Sequence, residues 1–94
     1  MNLKKYEAIV DSSILRDLLS ALDKAGIKSY SILDGIGGSG ERGTRHKESF
    51  HGERANSMLV VVLPADELPR LAATVAPFIQ RHGGIAWASD VMAS

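Results

Sequence analysis

Six consecutive aliphatic residues, Met58 to Leu63 (MLVVVL), constrain this chain more than any other stretch. A strand sends successive side chains to opposite faces, so a run apolar at every position must be covered on both sides, as a central strand of a sheet is. Pro64 closes the run, because proline cannot serve the ladder of a central strand. With 94 residues and 45% hydrophobic content, the chain has enough apolar material for one domain, residues 1–94, with little stability in reserve.

The other elements follow from periodicity. In KKYEAIVD, Tyr6, Ala8 and Val10 share one side and Glu7 and Ile9 the other, which predicts a first strand. Ile14, Leu15, Leu18, Leu19 and Leu22 recur at helical spacing, with Asp11, Ser12 or Ser13 as N-cap and Gly26 as the stop. IKSYSILD reads as a second strand, and from Gly35 to Asn56 the pattern dissolves into a long loop of glycine, charge and histidine. After the aliphatic third strand, Leu68, Leu71, Val75, Phe78 and Ile79 mark a second helix ending at Gly83 and Gly84, with a kink expected at Pro77. GIAWASDVM supplies the last strand, with Ile85, Trp87 and Val91 on one side and Ala86, Ala88 and Met92 on the other.

The order βαββαβ predicts an α+β, ferredoxin-like sandwich: a four-stranded antiparallel sheet, first and third strands central, with two helices on one face. The helices can cover only one side of MLVVVL. The other side leaves an apolar patch, and self-association through the sheets is the simplest cover, so a homo-oligomer is expected.

Composition excludes several classes of function. Eleven basic and eleven acidic side chains cancel, which gives no general attraction to nucleic acid or to an anionic membrane. The absence of cysteine removes disulfides, thiolate nucleophiles and cysteine-based metal centres, and makes the cytoplasm the expected compartment. No apolar run approaches the ~20 residues of a bilayer span.

Gly35 to Gly40, GIGGSG, satisfies the G-x-G-x-x-G fingerprint of dinucleotide-binding folds. That fingerprint requires a helix opening at its last glycine and an acidic residue ~20 positions on. ERGTRHKESFHGERANS has no helical apolar period, so the dinucleotide reading fails. A plain hairpin connection is the simpler account of the glycines alone. Against it, a loop longer than ~15 residues in so small a domain is uncommon unless it is functional or disordered. Arg42 and Arg45 also follow backbone that can approach a ligand closely, and glycine amides with bidentate arginines suit a phosphate or carboxylate.

The strand order, the loop between second and third strands and its opening G-x-G resemble the PII signal-transduction superfamily. GGSGERGTR resembles the G-G-x-G-x-R-x-x-R of the PII-like proteins associated with bicarbonate uptake and carboxysomes. The resemblance implies a non-enzymatic signalling protein, a homotrimer that binds AMP, ADP or ATP, with bicarbonate as a further ligand, at clefts between subunits. It implies that the loop, residues 35–56, is a flexible T-loop that docks on a protein target in inorganic-carbon metabolism, a bicarbonate transporter or a carboxysome-associated protein. Membrane contact would come only through that partner. Carried over by residue, Gly35, Gly37, Gly38 and Gly40 would give backbone approach, Arg42 and Arg45 would hold phosphates, and Gly83 and Gly84 would line the neighbour's side; no catalytic or metal site is implied.

Departures from the family pattern qualify this reading. Gly38 and Ser39 stand where nitrogen-regulatory members place the arginine and glutamine that serve ATP and 2-oxoglutarate, so 2-oxoglutarate sensing is not expected. HGGIAWASD lacks the lysine of the family's turn, and the family's two C-terminal arginines have no counterpart. A weaker hold on triphosphate is therefore expected, with AMP and ADP on an equal footing with ATP. The loop also lacks the tyrosine that nitrogen-regulatory members modify, since Tyr6 and Tyr30 lie in predicted strands.

Other constellations carry less. His46, His51 and His82, with Glu48 and Glu53, have no tight metal-ligand spacing and read as solvated; resemblance to the related trimeric divalent-cation-tolerance proteins keeps a trimeric divalent-metal-binding protein as the alternative function. Asp66 and Glu67 stand where a helix N-terminus favours negative charge. Small acylphosphatases also share the order, but VDSSILRD has no glycine-rich arginine loop after the first strand. Lys47 and Arg54 are offset by Glu41, Glu48 and Glu53, against nucleic-acid binding, and Trp87 is expected in the core or at a subunit interface.

Overall fold

Strand β1 (Leu3–Asp11) alternates as the sequence predicts, with Tyr6, Ala8 and Val10 buried. Asp11 then accepts a hydrogen bond from the Ser13 amide and caps a single 3-10 turn, Ser12–Ile14, that leads into α1 (Leu15–Lys24). Of the three candidate caps, Asp11 makes the bond. At the other end Gly26, at φ +83°, closes a Schellman motif, in which its amide bonds the Asp23 carbonyl and the Ile27 amide bonds the Leu22 carbonyl. The computed structural model describes residues 2–40, 43–45 and 55–93, giving the backbone alone for residues 39, 40 and 43–45.

The Schellman motif corrects the reading of the second strand. Ile27 is buried as the apolar residue just beyond the helix, so β2 begins later, at Ser31, and runs to Ile36. It also ends later than expected. Leu33 pairs with Met58 and Ile36 with Asn56, so β2 spends one residue more than its partner and bulges. Gly35, at φ +67°, takes the left-handed conformation in that bulge. Beyond it, β3 (Gly38–Gly40) and β4 (Gly43–Arg45) pair antiparallel where the sequence suggests only loop.

β5 (Asn56–Pro64) carries the aliphatic run, and α2 (Leu68–His82) follows a 3-10 turn at Ala65–Glu67. α2 continues through Pro77 to His82, and β6 (Ile85–Val91) completes the fold. The main sheet is antiparallel in the order β2-β5-β1-β6, with β5 and β1 central, as the ferredoxin-like arrangement requires.

One face of the sheet forms the core. Tyr6, Ala8, Val10, Leu59, Val61 and Leu63 pack against Leu18 and Leu22 of α1 and Leu71 and Val75 of α2. Burial pushes the Tyr6 hydroxyl above its ordinary value of 10.0. On the opposite face Ile9, Met58 and Val60 are only half-buried, Val62 is 53% exposed and, on β6, Ile85 58%, so the second side of MLVVVL has no full cover among the described residues.

Candidate functional site

Strand direction brings the two glycine segments to the same end of the sheet. β1 ends at Asp11 opposite Asn56, where β5 begins; Ile36, at the end of β2, is also opposite Asn56; and Ile85, where β6 begins, is opposite Ile9. Gly35, Gly37 and Gly38 therefore leave the sheet at the end where Gly83 and Gly84 enter it. They do so at opposite edges, because β2 and β6 are the outer strands. Three strand spacings of ~4.8 Å separate those edges by roughly 14 Å. The structure does not bring the two halves of the expected site together within one chain.

The first half is built on the bulge. Gly35 lies within β2, Gly37 joins β2 to β3, and Gly38 and Gly40 pair with Arg45 and Gly43. A Cβ placed at Gly38 would meet nothing within 4 Å, so packing does not require glycine there. The backbone of Arg45 lies opposite Gly38, which sets the arginine position beside the glycine run. Arg42, like Glu41, His46, Lys47, Glu48, His51, Glu53 and Arg54, lies outside the described residues.

The second half is different in kind. The Gly83 amide bonds the Ile79 carbonyl at 2.8 Å and ends α2 at φ +83°, ψ 172°, a conformation open essentially to glycine alone. Gly84 has φ +130°, and a Cβ there would stand 2.6 Å from the Ile9 carbonyl oxygen. Both glycines are demanded by the turn between α2 and β6.

Three polar residues that periodicity does not single out tie the base of the first half. Ser57, fully buried on the helix side of β5, donates to Asp34 Oδ1 at 2.7 Å, and its Oγ lies 2.7 Å from Ser12 Oγ. The Ser12 amide in turn bonds the Ala55 carbonyl at 2.9 Å. A serine preceding an aliphatic run reads simply as the run's edge; its burial opposite Val10 appears only once strands are paired.

On the open face, Trp87 is 38% exposed and not part of the core. Its indole Nε1 donates to Glu7 Oε1 at 3.1 Å, and Lys5 Nζ stands 3.5 Å from the same oxygen. Asp66 and Glu67 stand in the turn that opens into α2, where negative charge is favoured, although neither side chain makes a cap hydrogen bond; Glu67 Oε1 accepts from Arg70 at 2.7 Å. His82 is exposed in the last turn of α2. Among the described residues, no three histidine or carboxylate groups cluster in a way that could hold a metal, and no helix is long and apolar enough to cross a membrane.

The main sheet is a split βαβ arrangement with a glycine-rich excursion between its second and third strands. The family model of nitrogen regulatory protein P-II matches residues 3–94, and the chain belongs to that family. Among solved structures it is similar to CPII, a nitrogen regulatory PII-like protein from Thiomonas intermedia K12 bound to ADP, AMP and bicarbonate, at 27% identity over 97% of this chain and 87% of that one, with a TM-score of 0.84. A PII-like signalling protein of Thermus thermophilus shares the fold at 22% identity and a TM-score of 0.77, covering 97% of this chain and 88% of that one. PII of Arabidopsis thaliana bound to citrate shares it at 23% identity and a TM-score of 0.72, covering 96% and 78%. No curated protein sequence matches the chain.

Proposed function

We propose that this protein is a non-enzymatic PII-like sensor that binds an adenine nucleotide, with bicarbonate as a second ligand, at clefts between the subunits of a homotrimer. The observation that carries the reading is the placement of the two glycine segments at one end of the sheet but on opposite edges. A ligand held by both needs a second copy, and the open sheet face, with Val62 and Ile85 more than half exposed, gives copies an apolar surface on which to associate. The ADP, AMP and bicarbonate bound by CPII support the choice of ligands.

In this mechanism amides of Gly35, Gly37, Gly38 and Gly40 approach the phosphates, Arg42 and Arg45 supply bidentate charge, and Gly83 with Gly84 forms the neighbour's wall. The segment between β2 and β5 serves as the T-loop, and its ligand-bound and ligand-free forms present different surfaces to a partner in inorganic-carbon metabolism, a bicarbonate transporter or a carboxysome-associated protein. The site positions and reports a ligand; no bond is made or broken.

Calorimetric titration with AMP, ADP and ATP, each with and without bicarbonate, tests this. Saturable binding to the wild type, lost in the Arg42→Ala, Arg45→Ala variant, is the expected result. Absence of binding to every nucleotide would refute it.

A further inference from the structure

Ser57 is out of place by composition. It is fully buried on the core side of β5, opposite Val10 and next to Leu59 on the same face, where an aliphatic side chain would pack without polar cost. A hydroxyl buried in such surroundings is tolerated only when hydrogen-bonded. Its one proton goes to Asp34 Oδ1, so the 2.7 Å contact with Ser12 must be donated by the Ser12 hydroxyl. The bonds thus run in one direction, Ser12 to Ser57 to Asp34.

These three residues sit where the chain leaves and re-enters the sheet. Asp34 immediately precedes Gly35 in the β2 bulge, Ala55 and Ser57 belong to the returning segment, and Ser12 opens the turn into α1. Ser12 holds the returning segment twice, through its amide to the Ala55 carbonyl and through its hydroxyl to Ser57. Ser57 then holds the departing segment. Asp34 and Gly35 share the single partner position of Ser57, so this bond is a side-chain anchor of the bulge on β5.

We propose that Ser57 is a positioning residue which, through the Ser12–Ser57–Asp34 clasp, fixes the β2 bulge and so aims the Gly35–Gly38 backbone at its ligand. The ligand part of this inference rests on the nucleotide reading above; the clasp itself does not.

Hydrogen exchange on the ligand-free full-length protein tests the clasp directly. In Ser57→Ala, exchange across Leu33–Gly38 should quicken by about tenfold, the scale of one lost hydrogen bond to a charged group. Segments in β1 should change much less. Asp34→Ala should act alike, the double variant should add little to either, and Asp34→Asn, whose amide oxygen can accept the same proton, should stay near wild type. Unchanged exchange in Ser57→Ala, additive single effects, or loosening spread evenly through β1 would overturn the clasp. ADP titration of the same variants should then show Ser57→Ala and Asp34→Ala weakened by about tenfold and Asp34→Asn preserved. Looser exchange with unaltered affinity would overturn the aiming role, whereas a wild type that binds no nucleotide would refute the proposed function and leave the exchange result to decide the clasp.

Discussion

The two glycine segments carry similar residues for opposite reasons. Gly83 and Gly84 are fixed by backbone geometry: one sits at φ +83° and ψ 172°, and the other would drive a Cβ to 2.6 Å from the Ile9 carbonyl. Gly38 has open space around it and no contact that requires a missing side chain. A glycine the fold needs says little about a ligand. A glycine the fold could replace is where a functional demand can be measured cleanly, and the comparison locates that measurement at the β2 side of the site.

Substitutions can break this contrast. Gly84→Ala should have the largest effect, a loss of about 3 kcal/mol in urea denaturation, because it combines unfavourable φ with a backbone clash. A small loss there would mean that the α2–β6 turn adapts and that its glycine is free for another role. Gly38→Ala should leave stability within ~0.5 kcal/mol while weakening ADP by about tenfold or more. An unchanged titration would remove Gly38 from the site.

The smallest effect concerns the sheet that carries both segments. The unfolded chain releases the Tyr6 proton near the ordinary value of 10.0, while the buried residue keeps it to higher pH. The folded state therefore binds more protons above that point, so this contribution is intact below about pH 10 and is lost as pH rises through the raised folded value. Tyr6→Phe should flatten that alkaline limb of the stability curve without altering ADP binding at neutral pH.

Much of the fold was legible because burial imposed periods on the sequence. Tyr6, Ala8 and Val10 fall on the core face as their alternation predicts, and the doubly apolar MLVVVL is central. The start of β2 was not legible, since Ile27 is apolar for the sake of the Schellman motif and imitates the first residue of a strand. The far end of β2 was hidden by its bulge, because an extra residue shifts the alternation at Asp34 and Gly35 and makes Ile36 look like loop. Of the expected site, the loop motif pointed to the glycines at the β2 edge, and Gly83 and Gly84 followed from the family resemblance alone. The Ser12–Ser57–Asp34 clasp joins residues far apart in sequence that share no period, and only strand pairing reveals it.

The claim that both halves of the site meet only between subunits is tested most directly by ADP titration of a folded monomer. Val62→Glu with Ile85→Glu places charge on the two open-face residues that are 53% and 58% exposed, leaving the core and both glycine segments untouched. The account predicts a monomer in sedimentation, a native-like amide spectrum and no ADP binding. A monomer that binds ADP as tightly as the wild type would contradict it.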